Sequence, residues 1–90
     1  MPAAHFLVKG KVQGVGFRYW ASRHAERLGL RGWIRNEWDG SVRGEVAGSA
    51  EALEEFRKLL GIGPKAARVS HVEWEPCEEE PQTEGFEIRG

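Results

Sequence analysis

The chain has 90 residues, of which 40% are hydrophobic, 13 are Lys or Arg, 14 are Asp or Glu and one is Cys. That length allows one domain, spanning residues 1–90, with a single modest core burying a little over about 60% of the extended chain's surface. Cys77 has no partner for an internal disulfide and no Cys or His at metal-ligand spacing, and no apolar run reaches the length of a signal peptide or membrane span; a soluble, cytoplasmic protein without membrane association is expected.

Phe6 to Val12 alternates as a strand, with Phe6, Val8, Gly10 and Val12 on one face and His5, Leu7, Lys9 and Lys11 on the other. A helix is predicted over Tyr19 to Leu28, where Phe17, Ala21, Ala25 and Leu28 form the inward stripe and Gly29 ends it. Between the two lies Gly10-Lys11-Val12-Gln13-Gly14-Val15-Gly16-Phe17-Arg18, a strand-to-helix turn that presents backbone N–H groups to one point. Gly14 and Gly16 open conformations closed to residues with a Cβ, and the first helical amides lack intrahelical partners and lie at the positive end of the helix dipole. A phosphate fits such a cradle. Arg18 adds a planar, permanently charged fork suited to two parallel hydrogen bonds with phosphate oxygens. The third glycine of a dinucleotide loop and the Gly-Lys-Ser/Thr of a nucleotide P-loop are both missing. Tyr19 and Trp20 flank the helical stripe as core or rim aromatics, and Trp20 is near enough in sequence to wall the cradle.

Leu30 to Asn36 reads as a second strand, with Gly32, Ile34 and Asn36 on one face and Trp33, Arg35 and Glu37 on the other. Asp39-Gly40 turns the chain back into a third strand, where Val42, Gly44 and Val46 alternate with Ser41, Arg43 and Glu45. Ser49 caps a second helix whose inward stripe is Leu53, Phe56 and Leu60, ending at Gly61, and Ile62 to Lys65 is a loop. Val69 to Glu75 is a fourth strand in which Val72 and Trp74 point inward; a parity break at Ser70 suggests a bulge or a late start. An acidic loop over Pro76 to Glu84 precedes a short edge strand, Phe86 to Ile88. Residues 1–72 carry 12 basic and 7 acidic side chains and residues 73–90 carry one and seven, so a basic body suits a small anion while the acidic end argues against a broad nucleic-acid surface.

The order implies an α+β fold: a ferredoxin-like βαββαβ sandwich, an antiparallel sheet with two helices on one face and a short extra C-terminal strand. The first two strands then run the same way, which brings Asn36 toward the cradle. His5, His24 and His71 are too scattered to form a catalytic or metal cluster.

Two runs now carry a family resemblance. Gly10-x-Val12-Gln13-Gly14-Val15-x-Phe17-Arg18 and Gly32-Trp33-x-x-Asn36-x-x-Asp39-Gly40-x-Val42, closing at Gly48, resemble the two signatures of the acylphosphatases, and the likeness extends over essentially the whole chain. It implies hydrolysis of small-molecule acyl phosphates to a carboxylate and inorganic phosphate without metal or cofactor. By position, Arg18 matches the phosphate-binding arginine, Asn36 the asparagine that orients the attacking water, and Gly14, Val15, Gly16, Phe17 and Arg18 the loop whose amides hold phosphate. Gly90 stands where many relatives end on a larger residue. Because a carboxylate is a stable leaving group, no general acid is required; positioning and charge remain to be supplied. The protein is expected to act as a monomer. The alternative is a non-catalytic phosphate- or nucleic-acid-binding module on the same fold, against which the strand faces carry Leu7 and Ser41 rather than interleaved aromatic and basic residues.

Overall fold

The computed structural model describes residues 1–90 as β1 (Ala3–Lys11), α1 (Phe17–Arg27), β2 (Arg31–Asn36), β3 (Val42–Ala47), α2 (Ala50–Ile62), β4 (Arg68–Cys77) and β5 (Phe86–Arg89). The strands form one sheet in the order β4-β1-β3-β2-β5. Its inner face follows the predicted parity: Ala4, Phe6 and Val8 from β1, Ile34 from β2, and Val42 and Val46 from β3 are buried. Phe17, Ala21 and Ala25 of α1 and Leu53, Phe56 and Leu60 of α2 join them in one core cluster, so both helices cover the same face. Each large side chain removed from water there contributes roughly 1.5–3 kcal/mol. Phe56 lies edge-on to Phe6 at 5.8 Å and to Phe86 at 5.9 Å, which fastens α2 to both β1 and the short β5.

Helix ends follow from local chemistry. At the end of α1, Gly29 N–H donates to Glu26 O and Leu30 N–H to Ala25 O, the paired bonds of a Schellman stop. Ser49 accepts from Ala52 N–H and caps α2. The expected stop at Gly61 is two residues early: Gly61 lies inside α2, and Gly63, at φ 73°, ends it. Gly61 has no steric need for its position, whereas Gly63 takes the left-handed conformation and donates to Leu59 O.

Two features of the sheet bear on the sequence expectations. The parity break at Ser70 is a bulge: Lys9 pairs with His71 and Gly10 with Val69, leaving Ser70 without an opposite residue. The sheet is mixed rather than antiparallel, because β5 pairs parallel with β2. The reason is topological. The loop after β4 stays at one end of the sheet and crosses to the opposite edge, so β5 must run against β4; β2 also runs against β4, and the two neighbours are parallel.

Candidate active site

β1 and β2 both run antiparallel to β3, so their C-terminal ends lie at one end of the sheet. There the cradle loop, the start of α1, the end of β2 and β5 enclose a pocket of about 210 Å³, lined by Gln13, Gly14, Gly16, Arg18, Tyr19, Asn36 and Ile88 among others. Gly14 and Gly16 have φ of 75° and 76°, left-handed backbone that a side chain would strain. Gly16 is the N-cap of α1 and offers no side-chain cap, and the first turn contains no acidic residue. No backbone bond outside the helices and strands is donated by Gly14, Val15 or Gly16, and the first helical bond runs from Trp20 N–H to Gly16 O. The loop therefore presents unpaired donors at the positive end of a helix, with no carboxylate in the first turn to compete for them.

Arg18 is anchored on one side only. Its Nη1 donates to Gly90 O at 2.8 Å and Arg89 O at 3.3 Å, carbonyls at the end of β5. Nε and Nη2 make no hydrogen bond within the protein, so the edge suited to a bidentate oxyanion contact is free. The Asn36 carboxamide likewise makes no side-chain hydrogen bond, and its Oδ1 is buried without a partner. Leaving such a group unpaired costs about 1–3 kcal/mol, a deficit that a ligand or water removes.

Gln13, the carboxamide of the first signature, has a structural role. Its Nε2 donates to Glu37 O at 2.8 Å and to Ser41 O at 2.9 Å, tying the cradle loop to both sides of the β2–β3 turn. Ser41 is not an outward strand residue: it is buried in that turn, and its N–H and Oγ both donate to Asp39 Oδ1, at 2.9 and 2.5 Å. These bonds hold the Asp39 carboxyl below its ordinary range, the hydroxyl contributing most. Trp20 does not wall the cradle. It turns onto Phe17 at 5.5 Å and His24 at 4.8 Å, and Tyr19 lines the pocket instead.

Other surfaces fit an anion less well. A larger open hollow of about 610 Å³ lies against the acidic loop, where Glu78, Glu80 and Glu84 would repel phosphate and Glu80 already pairs with Arg31. The outer sheet face carries Trp33 beneath Arg35 and Arg89, but Arg35 and Arg43 pair with Glu37, Arg89 with Glu87 and Lys9 with Glu73, leaving a mixed face rather than a basic one. No group of three or more His, Cys, Asp or Glu is gathered as metal ligands. Cys77 ends β4 with its Sγ donating to Glu79 O, and burial together with Glu45, Glu79 and Glu75 pushes the thiol up, away from the reactive thiolate.

Comparisons with known proteins bear on the family and the fold. The acylphosphatase family model matches residues 4–88. The acylphosphatase of Nitratidesulfovibrio vulgaris (strain DP4) is 48% identical over 99% of this chain and 91% of its own length. That of Moorella thermoacetica is 49% identical over 96% of this chain and 91% of its length. The crystal structure of acylphosphatase from Bacillus subtilis superposes with a TM-score of 0.95 at 30% identity, covering 100% of both chains. On the family match, the identities over nearly full length and the shared fold, the chain belongs to the acylphosphatase family.

Proposed function

We propose that this acylphosphatase binds the phosphoryl group of an acyl phosphate through the amides of Gly14 to Arg18 and the free edge of the Arg18 guanidinium, and that Asn36 holds the attacking water. The water oxygen forms a bond to phosphorus, the bond from phosphorus to the acyl oxygen breaks, and the carboxylate departs with the electron pair. A phosphate oxygen takes the water's proton, so inorganic phosphate and a carboxylate are the products and no side-chain acid or base is consumed. Amides and Arg18 neutralise the oxygens of the transferring group, while positioning supplies the rest of the acceleration. The observation that carries these roles is the convergence of unpaired loop amides, a half-free arginine and an unpaired carboxamide in one pocket. We further propose that the protein acts as a single-domain monomer in the cytoplasm, on a small-molecule acyl phosphate.

Asn36 and Arg18 are separable by experiment. A group that holds the water acts in the transition state, whereas a phosphate clamp also binds substrate and product. Asn36→Ala lowers kcat by roughly 10² to 10³ and keeps the parent's competitive inhibition by inorganic phosphate; Arg18→Ala loses both. If Asn36→Ala remains folded yet loses phosphate affinity as severely as Arg18→Ala, Asn36 belongs to the clamp and the water-holding role is wrong.

A further inference from the structure

Two further hollows border the pocket, each sharing lining residues with it and none with the other. One, bounded by Gln13, Asn36, Glu37 and Trp38, lies on the Asn36 side. The other, of about 460 Å³, runs along α1 past Tyr19, Trp20, Arg23, His24 and Arg27, and borders the pocket at Tyr19, which lines both. In-line displacement puts the attacking and leaving oxygens on opposite sides of phosphorus. With water on Asn36, the acyl group departs away from Asn36, which selects the groove along α1.

The chemistry of that groove is specific. Tyr19, which lines both the phosphate pocket and the groove, is one of only five large hydrophobic side chains that the chain leaves exposed. One helical turn further, about 6 Å along the axis, comes Arg23, whose guanidinium leans on the Tyr19 ring and hydroxyl, and a turn beyond that Arg27, bonded to His24 Nδ1. Arg31, Arg35, Arg43 and Arg89 all have carboxylate partners, whereas Arg23 and Arg27 have none. Burial and the two arginines hold His24 below its ordinary range, so the positive charge of the groove is theirs. The hollow on the other side presents the Glu37 carboxylate, the wrong sign for an anionic substituent.

Resting on the acyl phosphate activity proposed above, we infer that the α1 groove is the acyl-group subsite, and that it selects acyl phosphates with a flat apolar body next to the carbonyl and a second negative charge about one helical turn away. Binding energy gained there acts far from the reacting centre and appears in kcat/KM.

The test compares acetyl phosphate, benzoyl phosphate and para-carboxybenzoyl phosphate on the full chain. The expected order of kcat/KM is carboxybenzoyl above benzoyl above acetyl, with roughly a tenfold step between the first two at low ionic strength that shrinks as salt screens the arginines. The double variant Arg23→Gln, Arg27→Gln brings the carboxybenzoyl to benzoyl ratio close to one, while Lys58→Gln with Lys65→Gln, a change of equal charge elsewhere, leaves the ratio as in the parent. Trp38→Ala also leaves it. A ratio that survives loss of both arginines overturns the subsite, as does one that falls equally with the lysine pair, which would be long-range attraction. A ratio abolished by Trp38→Ala puts the acyl group on the attacking side and overturns it too. Failure to hydrolyse any of the three refutes the acyl phosphate activity itself, a result distinct from hydrolysing all three without the expected order.

Discussion

The Gln13 carboxamide donates to Glu37 O at 2.8 Å, one residue beyond Asn36, and with its second hydrogen to Ser41 O at 2.9 Å. One side chain of the phosphate cradle thereby sets where β2 ends. Neither carbonyl is orphaned when Gln13 is replaced, because Glu37 O also accepts from Gly40 N–H and Ser41 O from Glu37 N–H. Gln13→Met is therefore expected to cost only about 1–2 kcal/mol of stability, yet to lower kcat roughly tenfold by loosening Asn36, with phosphate inhibition retained. In an Asn36→Ala background the same substitution should cost little further activity, since groups acting through one another are not additive. Full additivity in this double-mutant cycle would make Gln13 a purely structural residue.

Arg18→Lys tests the fork. Lysine keeps the charge but cannot donate to two carbonyls on one side while offering a parallel pair of donors on the other, as the Arg18 guanidinium is placed to do beside Arg89 O and Gly90 O. Phosphate affinity and turnover should both fall sharply, measured by competitive inhibition and initial rates. A lysine variant with near-parental values would reduce Arg18 to a nearby cation.

Much of this arrangement was legible in the sequence because it rests on local chemistry. Alternation fixed the inner faces of β1 to β3, Gly29 and Ser49 marked helix ends, and the Gly14 to Arg18 run announced donors at a helix start. Asn36 was reachable because two parallel-running strands share an end. What escaped depended on contacts between distant residues. The Gln13 bonds span 24 and 28 positions, and nothing near Gln13 in the chain reveals its acceptors, although a carboxamide inside a glycine-rich turn is a signal worth pursuing. The choice of Tyr19 over Trp20 as pocket wall was a matter of helical phase: Trp20 is drawn onto Phe17 and His24, leaving Tyr19 on the outer side of the first turn. The parallel pairing of β5 depends on which edge the last strand reaches, which its four residues do not encode.

Turnover should be independent of divalent metal. The positive charge that phosphoryl transfer requires is available from loop amides and Arg18, and no cluster of His, Cys, Asp or Glu stands by to hold an ion. Acetyl phosphate hydrolysis is expected to proceed at an unchanged rate after exhaustive treatment with a strong chelator. Reproducible loss that a divalent ion restores would contradict the charge assignment.

Acid sensitivity should concentrate in the turn that follows Asn36. Asp39 accepts from both the N–H and the hydroxyl of Ser41, and those bonds, the hydroxyl first, hold its carboxyl below 3.8. A carboxyl whose pKa is depressed by folding stabilises the native state fully above its unfolded value, and that contribution is lost as pH falls through the lower folded value. The same Ser41 passes its carbonyl to Gln13 and to Glu37 N–H, so protonating Asp39 slackens the set of bonds that places Asn36. Asp39→Asn mimics the protonated form at any pH. Urea unfolding should show the variant less stable than the parent at pH 6, with the gap narrowing as pH drops below 3.8 because the parent then loses what the variant already lacks. Kinetics at neutral pH should show a lower kcat with phosphate inhibition close to the parent's, the pattern expected when the water-holding side chain is displaced and the cradle is intact. A stability gap that stays constant across the acid range would mean that the Asp39 carboxylate carries no linked proton, and a loss of phosphate affinity would mean that the turn supports the cradle rather than Asn36.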